Sequence, residues 1–124
     1  MARSIHFLFT AAITIILVFF FNSSRIIDAH AILVESTPAI DSTVPGPDVV
    51  VKLRFNSRID HSRSRLSLML PEGKLVPLKI DDAIAPDTVS AHANDLKTGA
   101  YRIRWQVLAT DGHITRGDVP FKVS

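Results

Sequence analysis

The chain reads as an all-β protein, a seven-stranded antiparallel sandwich or barrel behind an apolar leader. Three observations carry this. Beyond residue 29 the apolar residues recur at period two in short runs. Turn residues separate those runs at intervals of about 8–12 residues. No segment there shows the helical spacing of an amphipathic helix.

The leader comes first. Arg3 gives a positive start, Phe7 to Phe21 (FLFTAAITIILVFFF) is an uncharged apolar run, and the polar stretch NSSRIIDA follows. This is the layout of a secretory signal over residues 1–29. The 15-residue run is shorter than the roughly 20 residues a spanning helix needs. Ile26 and Ile27 extend the apolar character past Arg25, so a retained anchor stands as the alternative.

The strands follow in order. Ala31 to Thr37 (AILVEST) is closed by Pro38, and a turn-rich PAIDSTVPGPD leads to Val49–Phe55 (VVVKLRF). There Val49, Val51, Leu53 and Phe55 share one face, with Lys52 and Arg54 on the other. Arg65 to Leu70 alternates too, and Pro71-Glu72-Gly73 is a turn in which Pro sets φ and Gly accepts φ > 0. Lys74 to Ile80 pairs with it as a hairpin, with Pro77 marking an edge or irregular strand. Thr88 to Ala93 is a weaker strand. Thr98-Gly99 turns the chain into Tyr101–Leu108, where Tyr101, Ile103, Trp105 and Val107 alternate with Arg102, Arg104 and Gln106. The last strand runs from His113, ending with Val119, Phe121 and Val123 in alternation.

A chain of 124 residues holds one domain, here residues 30–124. The formal charge of +2 falls to about +1 once Arg3, Arg25 and Asp28 leave with the leader. With no Lys/Arg cluster interleaved with aromatics, nucleic acid is not a partner. Cysteine is absent, so the exported domain relies on its core, without the disulfides common at this size.

Histidine carries the candidate chemistry. His30 stands at the leader boundary. Cleavage after Ala29 would make it the mature N-terminus, where a free amine and the ring Nδ1 close a six-membered chelate on a metal. Amine and imidazole nitrogens suit Cu(II), which heads the divalent affinity order and prefers a tetragonal N,O plane. Ala29-His30-Ala31 is equally a signal-peptidase pattern, however, and cleavage after Ala31 would discard His30. Asp111-Gly112-His113 is the second element. On an extended segment residues two apart share a face, so the carboxylate and imidazole can converge, giving N₃O with the two donors of His30. The plain alternative is an Asp-Gly turn with an exposed histidine. His61 and His92 read as surface residues. Met69, the one methionine beyond the leader, reads as core packing, and one thioether cannot build a soft Cu(I) site. Serine, histidine and aspartate are all present, yet there is no G-x-S-x-G context for a hydrolase. Trp105 and Tyr101 lie on the apolar face and read as core.

These pieces together resemble the CopC copper resistance family. The resemblance lies in HAILVESTPA from His30, in VVVKLRFNSRID, and in GAYRIRWQVLATDGHITRGDVPFKV, and it spans the 95 residues after the leader. Family members begin HA-x-L-x-x-S-x-P-A when mature, and they carry a late G-x-Y-x-V-x-W-x-V strand before DGH. The resemblance implies a cupredoxin-like, Ig-like Greek-key fold in the periplasm. It also implies a Cu(II) site of His30, Asp111 and His113, which selects cleavage after Ala29. Some members add a Met-rich Cu(I) site; its methionines are missing here, which implies a Cu(II)-only member. Ile114 stands where proline is usual, and Ala109-Thr110 where Ser-Ala is common, with no donor atom affected. The implied role is a monomeric, non-enzymatic copper buffer or carrier in copper resistance and homeostasis, with an inner-membrane copper transporter of the CopD type as its partner. Two alternatives differ in class. The N-terminal chelate resembles the copper site of polysaccharide monooxygenases, although those place a second histidine, not a carboxylate, in the plane. An Ig-like interaction module would bind no copper.

Overall fold

The computed structural model describes residues 30–124, so the signal expected over residues 1–29 lies outside the described residues. Eight strands, β1 (Leu33–Thr37), β2 (Ser42–Val44), β3 (Val49–Phe55), β4 (Arg65–Met69), β5 (Leu75–Leu78), β6 (Thr88–Ala93), β7 (Gly99–Leu108) and β8 (Ile114–Val123), form two facing sheets. The smaller has the order β1-β3-β6 and the larger β2-β8-β7-β4-β5. Only β4–β5 and β7–β8 are sequence-adjacent hairpin pairs. The other five connections between described strands all cross from one sheet to the other, the connectivity of a Greek-key β-sandwich.

Period-two patterning becomes the core. In β3 the burial alternates strictly, with Val49, Val51, Leu53 and Phe55 inside. In β7 Tyr101, Ile103, Trp105 and Val107 are buried, and in β8 Val119, Phe121 and Val123. The two inner faces meet at these residues, and the Trp105 indole stands edge-on to the Phe55 ring at 5.1 Å. This close packing requires Gly117, which faces Trp105 across the β7–β8 ladder. A Cβ there would lie 2.4 Å from Cζ2 of the indole.

Three sequence expectations change. The strand count is eight, because Ser42–Val44 within the turn-rich stretch pairs with β8. Three residues are too few to show a period, and the flanking prolines mask the strand. This pair is parallel, so the sandwich is not wholly antiparallel. Met69 is half-buried on the outer face, because Leu66 and Leu68 take the inward positions and a strand alternates. Pro77 is as expected on the edge strand β5, where a missing N–H costs no ladder bond. Gly73 takes φ +92 in the β4–β5 turn.

Candidate metal centre

The β7–β8 turn builds one half of the site. β7 ends at Leu108 and β8 begins at Ile114, and Ala109 N–H donates to the His113 carbonyl at 2.9 Å. The Gly112 N–H donates to the Ala109 carbonyl at 2.9 Å. Gly112 has φ +93, a conformation in which a Cβ is strained. Asp111 and His113 therefore meet by a mechanism other than the one their spacing suggests. Asp111 is the third residue of the tight turn Ala109–Gly112 and His113 follows it, so the two do not share one face of an extended strand. Asp111 Oδ1 accepts from the His113 backbone N–H at 3.0 Å, and Oδ2 lies 3.2 Å from His113 Nδ1.

The same contacts set the carboxylate's acidity. The His113 backbone N–H holds the Asp111 carboxyl below its ordinary value, opposed by partial desolvation. The His113 side chain lowers it further by hydrogen bonding and charge, and the charge of His30 also contributes. His30 is thus within electrostatic reach of Asp111.

The other half comes from the opposite end of the described chain. Ala31 is buried, and its carbonyl accepts from Thr115 Oγ1 at 3.0 Å. The Ile32 N–H donates to Asn56 Oδ1 at 2.8 Å, and the Asn56 N–H returns a bond to the Ile32 carbonyl at 3.0 Å. Thr115 lies two residues after His113, so one hydroxyl ties the N-terminal segment to the strand that starts at the turn. The β3–β4 loop buttresses the same end. Ile59 bridges to Ala109, and the Thr110 N–H donates to the Arg58 carbonyl at 3.1 Å. As a result the His30 and His113 rings stand 4.7 Å apart between centroids at 83°.

His30, Asp111 and His113 thus form one cluster of two imidazoles and a carboxylate, a donor set that fits a cation of borderline softness. The donors do not yet converge. Among the described residues no group of three or more His, Asp or Glu side chains stands ready around a common point. The Asp111–His113 contact occupies two of them, so metal capture requires that contact to open or His113 to use Nε2.

The other histidines lie apart. His61 is half-buried in a short 3₁₀ turn, with Nε2 2.6 Å from the Thr88 carbonyl. It ties the β3–β4 loop to β6 and is not simply a surface residue. His92 is exposed on β6, with Nδ1 3.1 Å from Asp81 Oδ2, and it pairs across to Val50, away from Phe55 and the site. Sequence reasoning missed Thr115 and Asn56. Both lie in segments that carry the family resemblance, but nothing local assigns them this role, because their partners lie 84 and 24 residues away.

Comparison with known proteins places the chain. The CopC domain profile matches residues 33–124. Copper resistance protein C of Xanthomonas campestris pv. juglandis is 29% identical over 120 residues, covering 90% of this chain and 94% of that protein. The crystal structure of CopC from Methylosinus trichosporium OB3b superposes with a TM-score of 0.70 at 33% identity, covering 77% of this chain and 94% of that one. PcoC from Escherichia coli, described as a methionine-rich copper resistance protein, superposes with a TM-score of 0.64 at 25% identity, covering 77% of this chain and all of that one.

Proposed function

This chain belongs to the CopC family, and we propose that it is an exported Cu(II)-binding protein that buffers or carries copper in the periplasm for copper resistance or homeostasis. In this proposal residues 1–29 are a signal removed after Ala29, and residues 30–124 are a monomeric copper-binding domain that is not an enzyme. The copper ion is cargo. It passes to or from an inner-membrane transporter of the CopD type.

The observation that carries the proposal is the meeting of His30 and His113 from opposite ends of the domain, 4.7 Å between ring centroids, with Asp111 beside them. Removal of the leader would give His30 a free amine. Amine and Nδ1 then chelate through one residue, so the second bond adds little ordering cost. Asp111 and His113 complete an N₃O set suited to the tetragonal preference of Cu(II). The His113 backbone N–H holds the Asp111 carboxyl below its ordinary value, which favours the ionised form that binds a cation. In the metal-free protein the Asp111–His113 contact orients both groups, and copper would replace it.

Methionine content separates this chain from PcoC. Residues 30–124 contain Met69 alone, half-buried on β4. It is paired with Leu75 and Arg102, with no second sulfur. This supports a site selective for Cu(II).

The exported protein should begin at His30 by mass spectrometry and bind one Cu(II). Changing His30 to Ala, or adding one residue before it, should weaken binding by more than the roughly 10–100-fold that loss of an outer-shell partner costs. Secreted protein beginning at Ile32, or unchanged affinity in either variant, would remove the proposed site.

A further inference from the structure

The outward face of the larger sheet carries five exposed cations: Arg65 of β4, Arg102 and Arg104 of β7, and Arg116 and Lys122 of β8. Strand register makes them neighbours. Arg65, Gln106 and Arg116 form one row across three strands, followed by Ser67, Arg104 and Asp118, then Met69, Arg102 and Pro120, with Lys122 opposite Ala100 last. Strand geometry spreads the cations over about 20 Å along the strands and about 10 Å across them.

Their charge is largely uncompensated. Asp118 is the one carboxylate in these rows, 3.3 Å from Arg104 Nε and 3.5 Å from Arg102 Nη1. Arg116 Nε is bonded to Gln106 Oε1 at 2.9 Å. Among the described residues no carboxylate lies within ion-pair distance of Arg65, Arg116 or Lys122. Asp41, whose N–H donates to the Pro120 carbonyl at 2.8 Å, borders the Lys122 end of the face, so five cations against two carboxylates leave it near +3, while the whole of residues 30–124 is near +1. The rest of the domain is therefore net negative. The outer side of the smaller sheet shows the contrast, with Arg54 bonded to Glu35 at 2.9 Å.

We propose that this face docks on the anionic phospholipid headgroups of a membrane. Charge complementarity is the first reason. Cations near an anionic lipid surface each contribute about fivefold in partitioning, within a Debye length. The absence of an apolar centre is the second. Stable protein interfaces bury a desolvated aromatic or aliphatic core inside a polar rim. Here the centre is Arg104, Gln106, Ser67 and Asp118, and exposed apolar residues stand only at the border, Leu75 on the edge strand and Ile114 beside the turn. A headgroup layer needs the charge without the core. Because Arg116 follows His113 by three residues, docking on this face would hold the β7–β8 turn at the membrane margin. The inference stands apart from copper, since none of the five cations is a proposed ligand.

The test is cosedimentation of the exported protein, produced with its own leader and without added metal. The vesicles are phosphatidylcholine with about one quarter phosphatidylglycerol, compared with phosphatidylcholine alone. Binding should occur only with the anionic vesicles and be lost in high salt. Arg65→Gln with Arg116→Gln should lower the partition coefficient about 30-fold. Lys52→Gln with Lys97→Gln, which removes the same charge elsewhere, should change it far less. Equal loss in both double variants, equal binding to neutral vesicles, or no binding would overturn the proposal. Preference for polyglutamate over anionic vesicles would do so too, in favour of an acidic protein partner. Copper titration of the Arg variants should be unchanged, so this failure is distinguishable from failure of the copper site.

Discussion

Thr115→Val tests how the N-terminal segment is held. The substitution keeps the branched shape and deletes Oγ1, which donates to the Ala31 carbonyl at 3.0 Å. Ala31 is 2% exposed, so its carbonyl has little water to turn to, and an unsatisfied buried acceptor costs about 1–3 kcal/mol. The cost falls on docking of the segment, because its other backbone hydrogen bonds, the pair between Ile32 and Asn56, include an exposed one. Local opening becomes about 5- to 150-fold easier, and exchange of the Ile32 amide in the metal-free protein should accelerate by that factor. Cu(II) affinity should fall by no more than the same factor, since only the docked fraction offers His30 beside His113. Thr115→Ser retains the hydroxyl and should stay near wild type in both measurements. Hydrogen exchange by NMR reads the opening directly, and urea unfolding separates it from global loss. Unchanged Ile32 protection in the Val variant would refute the reasoning, because the hydroxyl would then not hold the segment.

Three further outcomes follow from the same structure. Gly117→Ala would place a Cβ 2.4–2.6 Å from the buried Trp105 indole, which Phe55 holds edge-on. Overpacking of this kind costs about 1–3 kcal/mol, so thermal unfolding should drop by about 4–8 °C per kcal/mol, and a drop of under 2 °C would contradict the packing. Asp111 has a lowered folded pKa, so its contribution to stability is present above the ordinary carboxylate value of about 3.9 and disappears as pH falls through the lowered value. The stability difference between wild type and Asp111→Asn, followed by chemical unfolding in the metal-free protein, should shrink on acidification through that window, and a difference growing there has the wrong sign. Cu(I) should bind poorly, as competition with a chromophoric Cu(I) chelator will measure; stoichiometric, tight uptake would show that one methionine suffices.

The β-sandwich was legible because its principal strands bury one face only. β3, β7 and the end of β8 each announce that face at period two, and every residue named on it is buried. β2 was illegible because three residues give no period and its partner, β8, lies about 80 residues away. Met69 was misjudged because an apolar side chain in an apolar run looks internal until neighbouring leucines claim the inward positions. The candidate site divides the same way. The donor types of the proposed site were legible in residues 30 and 111–113.

What the sequence determined by itself is therefore local: the alternation that fixes each strand's inner face, the glycine that permits the turn at residue 112, and the donor chemistry of His30, Asp111 and His113. Only the tertiary structure decided that these three residues are neighbours. Asp111 and His113 are brought into contact at a turn closed by the Ala109–His113 backbone bond, and His30 arrives beside them through Thr115 and Asn56, whose roles nothing local marks. A residue's type governs which atom it can bind, whereas proximity across more than 80 residues depends on how two sheets pack, and short-range patterns carry no record of that distance.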